Sequence, residues 1–294
     1  MWVLKGHQYG RSITALAISP EGSLLASGAN DDCICWWDLA TQTLVAHQPG
    51  LVSDLAFSPD GKTLASGGPG GITFWDRTGN TIGAQHPGRW PTEVAYAPNG
   101  RYLAWCGPIA GLFEGDPWVE KPLPTRQRAS AVGTLAFAPN SQWFATAHAT
   151  RTPGRRRLRH CVRLWNPASG KVVGQLGGQT QTTTALAFAP DSQVLAGTCG
   201  EYLGVWNITS REMIFSHRSQ SLHYQDVAFT PDGRYLISAS NDRTVQFWDR
   251  ASWRAQAGYD WKIGAINCVV IACDGMRAAA GSKKGRIVVW DVDL

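Results

Sequence analysis

No run of eighteen apolar residues occurs in the chain, so neither a membrane-spanning helix nor a membrane partner is expected. Its seven cysteines contain no Cys-x-x-Cys pair and no spacing that suits structural zinc. Cys33 and Cys35 alternate along one predicted strand and share a face; buried, reduced cysteines are expected. Nothing matches a Walker loop, a nucleophile elbow or a His-rich metal pattern. No cofactor, no metal and no catalytic residue are therefore assigned. Residues 1–5 lack the basic stretch, apolar stretch and cleavage site of a secretory leader, so a cytoplasmic address is expected.

Charge is sparse and localised. Only 17% of the 294 residues are charged, against 44% apolar, which describes a globular chain with material for a core. The formal net charge is +5. Arg151, Arg155, Arg156, Arg157 and Arg159 lie within nine residues of one another. Without those five, the remaining Lys and Arg equal the 22 Asp and Glu, so a near-neutral scaffold carries one strongly basic loop.

What the chain does have is repetition, the first thing to test in any long sequence. Ser-Pro-Glu-Gly at 19–22 returns as Ser-Pro-Asp-Gly at 58–61, Ala-Pro-Asn-Gly at 97–100 and Ala-Pro-Asn-Ser at 138–141. It returns again as Ala-Pro-Asp-Ser at 189–192, Thr-Pro-Asp-Gly at 230–233 and Ala-Cys-Asp-Gly at 272–275. Pro presets φ at the first central turn position, and Gly takes the positive φ that other residues avoid. A second marker reads Trp37-Asp38, Trp75-Asp76, Trp165-Asn166, Trp206-Asn207, Trp248-Asp249 and Trp290-Asp291. The most complete unit, residues 223–250, predicts strands over 227–229, 235–238 and 244–248, built from β-branched and aromatic residues.

Turn motif, Trp-Asp marker and period together resemble the WD-repeat (Trp-Asp-repeat) β-propeller family over essentially the whole chain. That resemblance implies an all-β fold: a single domain over 1–294, with seven four-stranded antiparallel blades around a channel. After Trp290-Asp291 only three residues remain, too few for a fourth strand. Residues 1–5 match the segment that follows the first Trp-Asp, and are expected to serve as the outer strand of the last blade. Two repeats depart from the pattern. In the third, Gly115-Asp116 is read at the marker position and Trp105 where other repeats have Ser, so an irregular blade is expected. The fourth carries extra residues, 149–160, between its second and third strands.

The same resemblance implies that most histidines are structural. His7, Ser27, Asp31 and Trp37 are expected to form one hydrogen-bonded strut, and His217, Ser238, Asp242 and Trp248 another. His47, Ser66 and Trp75 fit partly, and His86 lies at the matching position of its repeat. An active site needs one asymmetric constellation, whereas these groups recur blade by blade. In this family the loops entering each first strand share a face with those joining second to third strands. Tyr9, Arg11, Arg89, Trp90, Arg126, Arg128, His223, Tyr224, Tyr259, Trp261 and Lys262 are expected on that face. Lys283, Lys284 and the loop bearing Arg155, Arg156 and Arg157 join them. Arg and aromatics in solvent-facing loops are the composition of binding hot spots. The expectation is a monomeric, noncatalytic interaction scaffold that binds an acidic or phosphorylated protein segment. Nucleic-acid binding through the same face, and a sensor or targeting module of a larger enzyme, are the alternatives.

Overall fold

The computed structural model describes residues 1–85, 90–121, 123–124, 130–151, 158–179 and 181–292. Its strands form seven four-stranded antiparallel sheets, and no helix occurs among the described residues. β1 (Trp2–Leu4) stands apart from its neighbours in sequence. The first blade follows as β2 (Ile13–Ile18), β3 (Leu24–Ala29), β4 (Cys33–Asp38) and β5 (Thr43–Pro49). The second is β6 (Asp54–Phe57), β7 (Leu64–Gly68), β8 (Gly71–Trp75) and β9 (Thr81–Gln85). The third is β10 (Glu93–Tyr96), β11 (Tyr102–Cys106), β12 (Ala110–Glu114) and β13 (Val119–Lys121). In the fourth come β14 (Ser130–Phe137), β15 (Phe144–Arg151), β16 (Leu158–Asn166) and β17 (Lys171–Leu176). The fifth holds β18 (Ala185–Phe188), β19 (Val194–Cys199), β20 (Tyr202–Asn207) and β21 (Met213–Arg218). The sixth holds β22 (Tyr224–Phe229), β23 (Tyr235–Ser240), β24 (Thr244–Asp249) and β25 (Arg254–Asp260). The last blade is β26 (Ile266–Ile271), β27 (Arg277–Ser282) and β28 (Ile287–Asp291), completed by β1.

Each first strand lines the channel and each fourth strand faces outward. The reason is burial. Second strands such as Leu24–Ala29 and Val194–Cys199 are buried on both faces, whereas outer strands such as Met213–Arg218 alternate exposed and half-buried residues. One small sheet buries too little by itself, so neighbouring blades cover each other. Between the second and third blades, for example, Phe74, Trp105 and Phe113 pack in one apolar cluster.

The Pro-Asp-Gly turns behave as their chemistry dictates. Gly61, at φ 68°, donates its N–H to Ser58 O at 2.8 Å. Ser141 and Ser192 take the same left-handed conformation, at φ 57° and 61°, where their repeats lack Gly. Ring closure follows the expected route: Trp2, Val3 and Leu4 pair with Val289, Val288 and Ile287. Leu4 is buried in the cluster that joins the last blade to the first.

Two expectations are corrected. The third blade is a regular four-stranded sheet, and its marker position is Phe113-Glu114 rather than Gly115-Asp116. Leu103 pairs with Phe113 as Leu25 pairs with Trp37, which sets that register. Phe has no N–H to satisfy, and the Ser that would accept one is replaced by Trp105, whose ring lies over Gly111 and fills the space. In the fourth-blade insertion, residues 149–151 and 158–160 are strand: β15 and β16 pair from Phe144↔Trp165 out to Arg151↔Leu158. The second-to-third hairpin is thus lengthened, with Arg151 and Arg159 inside strands.

Candidate functional site

Buried struts decide which polar groups are free to meet a partner. Trp37 Nε1 donates to Ser27 Oγ at 2.9 Å, and Ser27 Oγ lies 2.8 Å from His7 Nε2. His7 Nδ1 lies 3.1 Å from both Asp31 oxygens. One proton arrangement satisfies the whole chain: indole to hydroxyl, hydroxyl to imidazole, imidazole to carboxylate. Burial pushes the His7 pKa down, partly opposed by the Asp31 charge. Ser27 is wholly buried, so this Ser-His-Asp set offers no nucleophile to a substrate. Ser27→Ala strands both the indole N–H and the imidazole and is expected to cost about 2–4 kcal/mol. Ser66→Ala, which strands only the N–H that Trp75 donates at 2.8 Å, is expected to cost roughly half as much. Urea melts of the two variants check the ranking; equal losses would show that His7 adds nothing.

The second strut differs from expectation. Trp248 Nε1 does donate to Ser238 Oγ at 2.9 Å. His217, however, bonds the Tyr224 hydroxyl at 2.8 Å, and Asp242 serves Ser240 and Thr244. Its ring centroid lies 4.9 Å from that of Trp248, as a packing partner. His47 is exposed rather than part of a strut, and His86 lies outside the described residues. The structure adds a strut in the fourth blade: Trp165 Nε1 donates to Thr146 Oγ1 at 2.6 Å, and Thr146 meets His148 at 2.7 Å. Burial lowers His148 to about 4. The usable signal was Thr-x-His within one second strand.

Loops entering first strands and second-to-third turns do meet on one face. Gly10 N donates to Lys284 O at 3.1 Å, Lys283 N to Ala265 O at 2.8 Å, and Asn241 N to His223 O at 3.1 Å. Tyr9 and Trp90 are each 67% exposed there, with His223, Arg11 and Lys262 also exposed. Tyr224 does not belong: it is 1% exposed and held by His217. Trp261 is half-buried, stacked on Tyr259 and tilted against Trp290 at 4.5 Å. Tyr259 itself lies in β25, on the outer edge of its blade. Arg89, Arg126, Arg128, Arg155, Arg156 and Arg157 lie outside the described residues.

A coherent basic patch forms where the last and first blades meet. The Arg286 guanidinium lies over the Tyr9 ring at 5.4 Å. The Lys284 stem runs beside Gly264, where a Cβ would meet it at 3.0 Å, and Lys262 is two residues away. Among the described residues, Arg11, Lys262, Lys283, Lys284 and Arg286 form no ion pair with a carboxylate. Asp31, in the neighbouring turn of the first blade, is spent on His7 and on the Gln8 N–H.

Three carboxylates in the central channel escaped the sequence reading. Asp54 accepts from Val94 N at 3.0 Å, Glu93 from Leu135 N at 2.7 Å, and Asp226 from Val269 N at 2.8 Å. Each bond ties one blade to the next at the same place. Burial pushes all three pKa values up, Asp54 to about 7 and Asp226 to about 6; the charge of Asp54 raises Glu93 further. Ala15, Thr134, Ala185 and Cys268 stand at the corresponding position of the other repeats. A charge at an otherwise uncharged repeat position was the signal.

Seven four-stranded blades around a channel define a β-propeller. Residues 1–38, 40–76, 213–249 and 261–291 match the family described as WD domain, G-beta repeat. Four stretches of this seven-bladed β-propeller are thus WD repeats. It is 27% identical over 136 residues to the target of rapamycin complex subunit LST8 of Mus musculus, covering 45% of this chain and 42% of that protein. It is 24% identical over 191 residues to autophagy-related protein 16 of Arabidopsis thaliana, covering 60% of this chain and 34% of the relative. A guanine nucleotide-binding protein subunit beta-like protein 1 of Mus musculus is 27% identical over 137 residues, covering 45% and 41%. The chain thus spans under half the length of these relatives.

Proposed function

We propose that the protein is a noncatalytic interaction scaffold that docks an acidic or phosphorylated protein segment on its basic, aromatic loop face. The observation that carries this reading is the patch of Arg11, Lys262, Lys283, Lys284 and Arg286 where the last and first blades meet, with Arg286 over the Tyr9 ring and no carboxylate ion pair among the described residues. Unpaired cations beside an exposed ring attract carboxylate or phosphate, and Arg can hold either bidentately. Trp90 and His223 extend the same face across other blades. Relatives named as a subunit of a complex and as a subunit-like protein support a place within protein assemblies. The His7–Ser27–Asp31 set is a buried strut to Trp37, and its hydroxyl is withheld from any substrate.

Fluorescence anisotropy with a labelled Glu- and phosphoserine-rich peptide tests the reading. Binding is expected for the parent, and at least about tenfold weaker for the triple variant Lys283→Ser, Lys284→Ser, Arg286→Ser. A second triple variant, Arg155→Ser, Arg156→Ser, Arg157→Ser, asks whether the arginine loop contributes. Unchanged affinity in the first variant would overturn the assignment. So would tighter binding of a single-stranded oligonucleotide with a steep loss in salt, which is the signature of counterion release from a phosphate backbone.

A further inference from the structure

A groove opens on the outer wall between the second and third blades, far from the basic patch in sequence and on different blades. It encloses a cavity of about 960 Å³, at the upper end of the range that binds ligands. Comparison of the repeats explains why it exists. In the first, fourth and fifth blades one outer-strand residue pairs with the residue before the marker position, and the next blade's third-to-fourth turn packs on it. Phe215 takes this place in the fifth blade and stacks on Trp253 of the sixth at 5.4 Å. Gly174 in the fourth is covered by Arg211, whose Nε would lie 3.1 Å from a Cβ there. Ala46 in the first lies 3.1 Å from a Cβ built on Gly79 of the second.

In the second blade the place belongs to Gly83, opposite Phe74. Among the described residues a Cβ there would meet only Phe74, at 3.8 Å, and nothing from the third blade within 4 Å. The turn that should cover it contains Asp116-Pro117-Trp118. Trp118 turns to stack on Phe74, at 6.4 Å between centroids, and leans on Tyr96 at 5.9 Å. The wall beside Gly83 is therefore aromatic and half-buried, and Ile82 is 58% exposed at its lip. β9 is the unpaired edge of its sheet, so it also presents backbone N–H and C=O groups to a neighbour.

Charge selects the occupant. Among the described residues lining the groove the one basic side chain, Arg101, is held by Glu114 at 2.7 and 2.9 Å. Asp60 accepts from Ser58 Oγ and Lys62 N on one oxygen, and its ion pair is a 3.8 Å contact with the largely exposed Lys62; Asp116 has no ion pair among the described residues. The described lining thus carries two carboxylates, Asp60 and Asp116, against Arg101, on a protein of net charge +5. We propose that the groove docks an extended protein segment in which aromatic side chains are flanked by Lys or Arg, added along β9. The aromatic ring fills the place vacated by Gly83, against Trp118 and Tyr96. The basic side chains meet Asp60 and Asp116. Extended chains place alternate residues on one side, so a single strand can present two rings to the groove.

The probe is a fluorescein-labelled peptide, Gly-Ser-Lys-Phe-Ser-Phe-Lys-Ser-Gly, titrated against the intact chain. Anisotropy should saturate with a Kd below about 1 mM, and versions with Phe→Ser or Lys→Glu should bind at least about tenfold more weakly. Gly83→Phe should abolish binding by filling the groove, at unchanged melting temperature. Asp116→Lys, at an exposed position, should weaken it at least about tenfold and guards against a folding defect in the first variant. Lys283→Ser with Lys284→Ser should leave it unchanged, which separates this groove from the basic face. No binding at about 1 mM, equal binding by the Lys→Glu peptide, or full binding by Gly83→Phe would each overturn the proposal. Self-association of the protein that Gly83→Phe removes would also overturn it, by giving the groove to a second copy.

Discussion

Deleting residues 1–5 is expected to lower the melting temperature by about 10 °C or more. These residues contain β1, the outer strand of the last blade, paired at Trp2↔Val289, Val3↔Val288 and Leu4↔Ile287. Leu4 is 4% exposed, and burying such a side chain is worth about 2 kcal/mol. Its loss also uncovers β28, whose Val288 and Val289 are now fully buried, as an unpaired and apolar edge. The strut at His7 loses its anchoring strand as well, and Gly6 no longer lies against the Trp37 ring. Together these amount to roughly 4 kcal/mol, and about 2–4 °C per kcal/mol applies to a chain of this size. Thermal melts of the deletion variant check this; a midpoint within about 2 °C of the parent would mean that the ring does not depend on this closure.

The second large effect concerns pH. Replacing Asp54, Glu93 and Asp226 together by Asn, Gln and Asn is expected to stabilise the protein at pH 8 relative to pH 5. The sign follows from the raised pKa values: the folded ring holds these protons more tightly than the unfolded chain does. Their contribution is therefore complete below the ordinary carboxylate range near pH 4. It declines as pH rises and is lost above about 6 for Asp226 and about 7 for Asp54. Each tenfold tightening of proton binding in the folded ring is worth about 1.4 kcal/mol, and water in the open channel reduces that, so a net effect of roughly 3 kcal/mol is expected. Asn and Gln keep an oxygen to accept from Val94, Leu135 and Val269 but carry no charge to desolvate. The measurement is the melting-temperature difference between variant and parent at pH 5 and pH 8. It should widen by several degrees toward the variant, and a constant or narrowing difference would sink the idea.

Much of this was written locally. The turn motifs announced the blades because Pro and a left-handed residue are needed wherever a tight first turn occurs. Trp-Asp marked the third strand in six repeats, and the match between residues 1–5 and the segment after Trp37-Asp38 disclosed the closure. Where the local pattern is weak, the sequence misleads. In the third repeat, Phe113-Glu114 carries no Trp to mark it, and only the pairing of Leu103 with Phe113 identifies the register. Tyr224 illustrates the other failure. An aromatic beside a turn looks exposed in a sequence, yet one extra pair, Tyr224↔Ser240, carries it into the sheet and toward His217.

The binding surfaces divide in the same way. Periodic turns and a recurring indole with its acceptor are local signals, so the all-β class, the number of blades, the route of closure and the Ser27–Trp37 and Ser238–Trp248 pairs were legible in the residue string. Which cations are free depends on contacts made only on folding. Arg101, Arg218 and Arg250 look like Arg286 in the bare sequence, but Glu114, Glu201 and Asp191 neutralise them across distances in sequence of 13 to 59 residues. The groove at Gly83 and the channel carboxylates were decided on folding too. Each depends on what the neighbouring blade brings opposite a residue, and that is set by packing between repeats rather than by the pattern within one.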